Sequence, residues 1–240
     1  MLVDAGWRVA LLGLAVALGG LLLMRVAGLG WRMPAGALAG YTTIALLVLL
    51  GLALHAPHRR FGAANAVTLA RAATASLFIG VLADGTVLAP AGRWVLTLAG
   101  TAALLLDGVD GWAARKTGLS SRFGARFDME VDALFVLVLG ALVWRAGQAG
   151  AWVLTAGLLR YLFVAAGRLF PVLTAPLPES FRRKAICVAI IAVQLTALSP
   201  LLAPGPARLL CLAGLALLCY SFGADIVLLA AERRGATVPT

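Results

Sequence analysis

The stretch LLLDGVDGWAARKTGLSSRFGARFDMEVDALFVL, residues 104–137, decides how this chain is read. Apolar runs enter and leave it. Five of the chain's ten acidic residues lie inside it: Asp107, Asp110, Asp128, Glu130 and Asp132. Charges set against such runs are costly in a bilayer and need a partner, water or a metal. Asp107 and Asp110 are three apart and share one helix face; Asp128 and Asp132, four apart, do the same. Glu130 points off that face. A short basic connection carrying Arg115, Lys116, Arg122 and Arg126 joins the two pairs.

Working outward, the chain holds eight apolar segments, at about 9–30, 36–54, 63–83, 93–114, 128–146, 150–170, 185–203 and 207–230. Each is long enough for a helix, and lipid leaves helices as the natural way to satisfy the backbone. Pro34, Pro57, Pro90, Pro171 and Pro204 fall at or near the joins, where a helix break costs little. Hydrophobic residues make up 62% of the 240 and charged residues only 12%, too few to cover a soluble fold. Mean hydropathy is +0.99. The expected architecture is all-α, a polytopic transmembrane bundle of about eight spans.

The net charge of +10 would hint at nucleic acid in a soluble protein. Here the cations sit in short loops and no basic run is interleaved with aromatics, so nucleic acid is excluded as a partner and membrane lipid headgroups are favoured. Every second connection is basic: Arg59 and Arg60, then Arg115 to Arg126, then Arg182, Arg183 and Lys184, then Arg233 and Arg234. Eight spans with both termini and the acidic stretch on the cytoplasmic side fit that alternation. The first apolar run is too long for a signal-peptide core and reads as a retained span. His55 and His58 flank Pro57 and read as solvated. Cys187, Cys211 and Cys219 lack metal-like spacing and read as buried structural thiols.

If the two acidic helix ends pack antiparallel, four aspartates meet at one depth. Uncompensated, they would repel one another and partly protonate. A hard divalent cation, or two, relieves this, and oxygen ligands suit Mg²⁺ or Mn²⁺. Gly108 and Gly111 leave room for close approach, and Arg115 can pair with phosphate oxygens. The combination points to phosphoryl-group chemistry. Interfacial caps and Asp–Arg salt bridges would be the bland explanation for one such pair, and a poor one for two.

Asp107-Gly-Val-Asp110-Gly111-Trp-Ala-Ala114-Arg115, eight residues, Gly124, three residues, Asp128, three residues and Asp132 resembles the CDP-alcohol phosphotransferase signature at every position and spacing. The resemblance implies a six-helix core over residues 59–240, preceded by two additional transmembrane helices in 1–58. Those two helices would enlarge a homodimer interface or shape the lipid entrance. It also implies displacement of CMP from a CDP-linked donor, CDP-diacylglycerol being the expected one, by a small alcohol acceptor, in phospholipid synthesis at a bacterial inner membrane. Asp107, Asp110, Asp128 and Asp132 would hold two Mg²⁺ or Mn²⁺ ions, with Asp132 also the base for the acceptor hydroxyl. Gly111, Ala114, Arg115 and Gly124 would border the CDP pocket. Asn65, Thr68 and Arg71, three apart on the third segment, resemble residues that approach the nucleotide; interhelical hydrogen bonding explains them equally well. Arg160, Arg168 and Lys184 are candidates for an acceptor or lipid phosphate. Arg160 can equally snorkel or pair with an acid, and Lys184, with Arg182 and Arg183, can equally anchor the topology. A cation- or proton-coupled transporter is the competing function. It would call for inverted repeats, which the sequence does not show.

Overall fold

The computed structural model describes residues 2–55, 62–117, 122–170 and 180–235. They form α1 (Leu2–Val26), α2 (Arg32–His55), α3 (Ala63–Asp84), α4 (Pro90–Thr117), α5 (Arg122–Arg145), a 3-10 turn (Ala151–Leu154), α6 (Thr155–Leu169), α7 (Phe181–Leu198) and α8 (Pro204–Gly235). Among the described residues there is no strand. The all-α bundle expected from hydropathy is the fold. Pro90 and Pro204 open α4 and α8, at the first helical position, where the missing N–H would have had no partner anyway. Pro57 and Pro171 lie outside the described residues. Gly85, at φ 87°, ends α3 in a left-handed conformation that a Cβ would disfavour.

Several helices run past their apolar segments. α4 continues through Arg115-Lys-Thr117, and α5 starts at Arg122, not at Asp128. Good helix formers carry the backbone on where hydropathy stops. Asp128 and Asp132 therefore sit inside α5 rather than at its tip. Among the described residues, five helices have a stretch long and apolar enough to cross a membrane: α1, α2, α3, α8 and α6 together with its leading 3-10 turn. α4 carries Asp107 and Asp110 in its second half, α5 carries Arg126, Asp128, Glu130 and Asp132 in its first half, and α7 opens on Arg182-Arg183-Lys184. Their charges gather at one end of the bundle.

α3 is the central helix, packed on α1, α2, α4 and α5. Leu69, Ala72, Ala75 and Ser76 along it are fully buried. α7 packs on α4, α5 and α8. Among the described residues, α4 and α5 both pack on α3 and α7. Small residues permit the closest approaches, as is usual where lipid offers no hydrophobic drive. A Cβ on Gly157 of α6 would come within 2.5 Å of the Leu137 Cα of α5. Gly157→Leu is therefore expected to force α6 away from α5 and cost about 2–3 kcal/mol. Thermal unfolding in detergent measures this, and an unchanged midpoint would show that the two helices do not touch there.

Two apolar clusters fill the interior. The larger joins α3 to α8 around Phe78, Phe135, Leu139 and Ile191. The second joins α1 and α2 to α3 and α5 through Tyr41, Leu52, Leu69, Phe127 and Val131. At the end away from Asp128 and Asp132, two arginines close helices. Arg93 donates from Nε to Leu198 O (2.7 Å) and from Nη2 to Ser199 O (2.8 Å). Arg145 donates to Leu82 O and Gly85 O. Each places a cation on the negative end of a helix, α7 and α3 respectively. Asp84 accepts from Gly30 N–H at 2.8 Å and ties the α1–α2 turn to the same end.

Candidate functional site

Three helices bring polar side chains to one place at the opposite end. Asn65, Thr68 and Arg71 recur every three residues on the first turns of α3. Such spacing keeps them on one face. Thr68 is 5% exposed and the Arg71 side chain 3%. A buried guanidinium needs anions, and α5 supplies two. Arg71 Nη1 donates to Asp128 Oδ1 at 3.0 Å, and Nη2 donates to Asp132 Oδ1. The one-turn separation of the two aspartates lets a single planar fork reach both. The Asp128 side chain is 45% exposed and Asp132 23%, so the pair opens outward from a buried base.

One guanidinium offsets one of the two carboxylate charges, so the described trio keeps an anionic surplus. The oxygens are hard donors, the type that takes Mg²⁺ or Mn²⁺. Among the described residues, no group of three or more His, Cys, Asp or Glu side chains is assembled closely enough to hold a metal. The described side chains of α4 stop at Leu106. Asp107, Asp110, Ala114 and Arg115 therefore lie outside the described side chains; their backbone, with that of Gly111, is helical through Thr117. Gly124 is on the first turn of α5, partly buried.

α7 adds a group that the sequence did not single out. Cys187 Sγ lies 3.4 Å from Asp132 Oδ2 as a hydrogen-bond donor. Of the three cysteines expected to be buried structural thiols, only Cys211 is buried; Cys187 is half-buried against an acid and Cys219 is exposed. No spacing rule could have found this contact, because it depends on how α7 is rotated against α5.

The remaining candidates separate. Arg160 of α6 pairs with Glu130 at 2.7 Å, on the flank of α5 away from Arg71. Glu130 does point off the aspartate face, and Arg160 has the acidic partner that the bland reading gave it. Arg168 and Lys184 are exposed, near the end of α6 and the start of α7. Arg182 and Arg183 both pair with Asp225 of α8, and Arg182 also donates to Ser221 O at 2.8 Å. Asp225 is only 4% exposed. Its signal was present in the sequence: a lone acid in an apolar segment, opposite a basic triplet.

Residues 61–222 match the family model described as CDP-alcohol phosphatidyltransferase. No curated protein and no solved structure matches the chain.

Proposed function

The chain belongs to the CDP-alcohol phosphatidyltransferase family, and on that premise we propose that it moves a phosphatidyl group from CDP-diacylglycerol to a small polar alcohol and releases CMP. Membership makes it a transferase that uses a CDP-alcohol donor, and its apolar helices make it an integral membrane protein. The observation that carries the finer reading is the Arg71–Asp128–Asp132 group, where α3 and α5 hold an acid pair over a buried cation.

In this reading Asp128 and Asp132, together with Asp107 and Asp110, would hold two Mg²⁺ or Mn²⁺ ions. The carboxylate donor set fits such ions. Bound there, they would neutralise the donor diphosphate and stabilise the departing phosphate. Asp132 takes the proton from the acceptor hydroxyl. The alkoxide oxygen forms a bond to the lipid-bearing phosphorus. The bond from that phosphorus to the bridging oxygen breaks, and CMP leaves with the electron pair. Asn65, Thr68 and Arg71 on α3, with Gly111, Ala114, Arg115 and Gly124, border the nucleotide. Exposed Arg168 and Lys184 are candidates for a phosphate on the acceptor, and Arg160 would have to release Glu130 to serve as one. In this reading the same end of the bundle faces the cytoplasm at a bacterial inner membrane, an orientation that the basic loops support.

The test incubates purified protein with radiolabelled CDP-diacylglycerol, Mn²⁺ and, separately, glycerol 3-phosphate, inositol phosphate, serine, choline and ethanolamine. The expected result is CMP formed in step with a new phospholipid for one acceptor. Absence of CMP with every acceptor would overturn the assignment.

A further inference from the structure

We infer that Cys187 is a positioning residue for the transfer reaction, its thiol fixing the orientation of the Asp132 carboxylate. The inference rests on the proposed role of Asp132 as base. It adds a group on α7, outside the Asp107–Asp132 stretch and outside any motif the sequence displayed.

The geometry is two-sided. Asp132 Oδ1 is taken by Arg71 of α3, and Asp132 Oδ2 accepts from Cys187 Sγ of α7 at 3.4 Å. The terminal torsion of an aspartate is broad, so a partner on one oxygen leaves the carboxylate free to turn. Partners on both oxygens, from two different helices, fix its plane. Arg71 cannot do this alone, because the same guanidinium is shared with Asp128. A thiol is a weak donor, and here it faces an ionisable acceptor, the arrangement in which such a bond is strongest. The other cysteines do not share the role: Cys211 sits in the apolar core and Cys219 on the outer surface. Cys187 thus couples the register of α7 to the geometry of the acid pair on α5.

A structural filler and a positioning residue behave differently on substitution. The experiment uses the full chain in nanodiscs with Cys187→Ala, Cys187→Ser and Asp132→Ala. Infrared spectra identify the Cys187 S–H stretching band by its loss in Cys187→Ala. That band is expected to change frequency in Asp132→Ala. In CMP-release assays, Cys187→Ala is expected to lower kcat about fivefold to tenfold, the worth of one modest hydrogen bond. KM for CDP-diacylglycerol should hold, and Cys187→Ser, which keeps a donor, should recover most of the rate. An S–H band indifferent to Asp132→Ala overturns the proposal, as does a Cys187→Ala enzyme that matches wild type. Equal losses in the Ala and Ser variants overturn it too, because they would mark a packing role. If the band shifts but wild-type protein releases no CMP, the contact stands while the functional reading falls, and the positioning role falls with it.

Discussion

Asp128→Asn, and separately Asp107→Asn, is expected to lower CMP release by about a hundredfold to a thousandfold while the protein stays folded. Removing one preorganised electrostatic group from a phosphoryl-transfer or acyl-transfer site costs that much in comparable cases. The change is nearly isosteric, so packing is preserved and only charge is lost. Asp128 is 45% exposed, which keeps the amide solvated and makes a folding defect the lesser effect. The two variants also probe different helices. Asp107 belongs to α4 and Asp128 to α5, and both helices pack on α3 and α7. A matching loss in both would place the two acidic pairs in one functional site. Elution and thermal unfolding of each variant in detergent provide the folding control, and retained turnover in folded variants would count against the assignment.

Arg71→Leu is expected to lower stability in metal-free buffer by about 3 kcal/mol. The figure is the lower end of the range for breaking a buried ion pair, because Asp128 and Asp132 remain partly exposed and water screens their repulsion. Arg71 itself is 3% exposed and holds both carboxylates. Without it the two negative charges face each other with no counter-charge from α3. A divalent cation should then take over that task, so saturating Mn²⁺ is expected to raise the unfolding temperature more in Arg71→Leu than in wild type. Arg71→Lys should be intermediate, since an ammonium is a point charge and lacks the fork that reaches both oxygens. Unfolding followed with and without Mn²⁺ measures this. Equal Mn²⁺ stabilisation of wild type and Arg71→Leu would show that guanidinium and metal do not compete for the same oxygens.

What the sequence could reveal follows from where each signal resides. Apolar runs and basic loops are local, so the eight helices and the gathering of charge at one end were readable. Helix ends were less so: Arg115 to Thr117 of α4 and Arg122 to Phe127 of α5 continue their helices through residues that hydropathy counts as loop. The i, i+4 pairing of Asp128 and Asp132, and the triplet on α3, were periodic and therefore visible. That Arg71 bridges both aspartates was not, because it depends on the packing of α3 against α5. The same holds for Cys187, for the Glu130–Arg160 pair and for the closure of α7 and α3 by Arg93 and Arg145. Each joins residues far apart in the chain whose facing directions are set by helix rotation. α1 and α2 precede the stretch that matches the family. Their apolar cluster reaches Phe127 and Val131, the residues just before Asp128 and Asp132. Helices that looked like an appendage thus back the face of α5 behind the site.

Manganese binding to the purified protein, counted by electron paramagnetic resonance without any substrate, tests the central claim most directly. Wild type is expected to immobilise Mn²⁺, with affinity falling about tenfold or more in both Asp107→Asn and Asp128→Asn. Binding that is absent from wild type, or unchanged in both variants, would contradict the account.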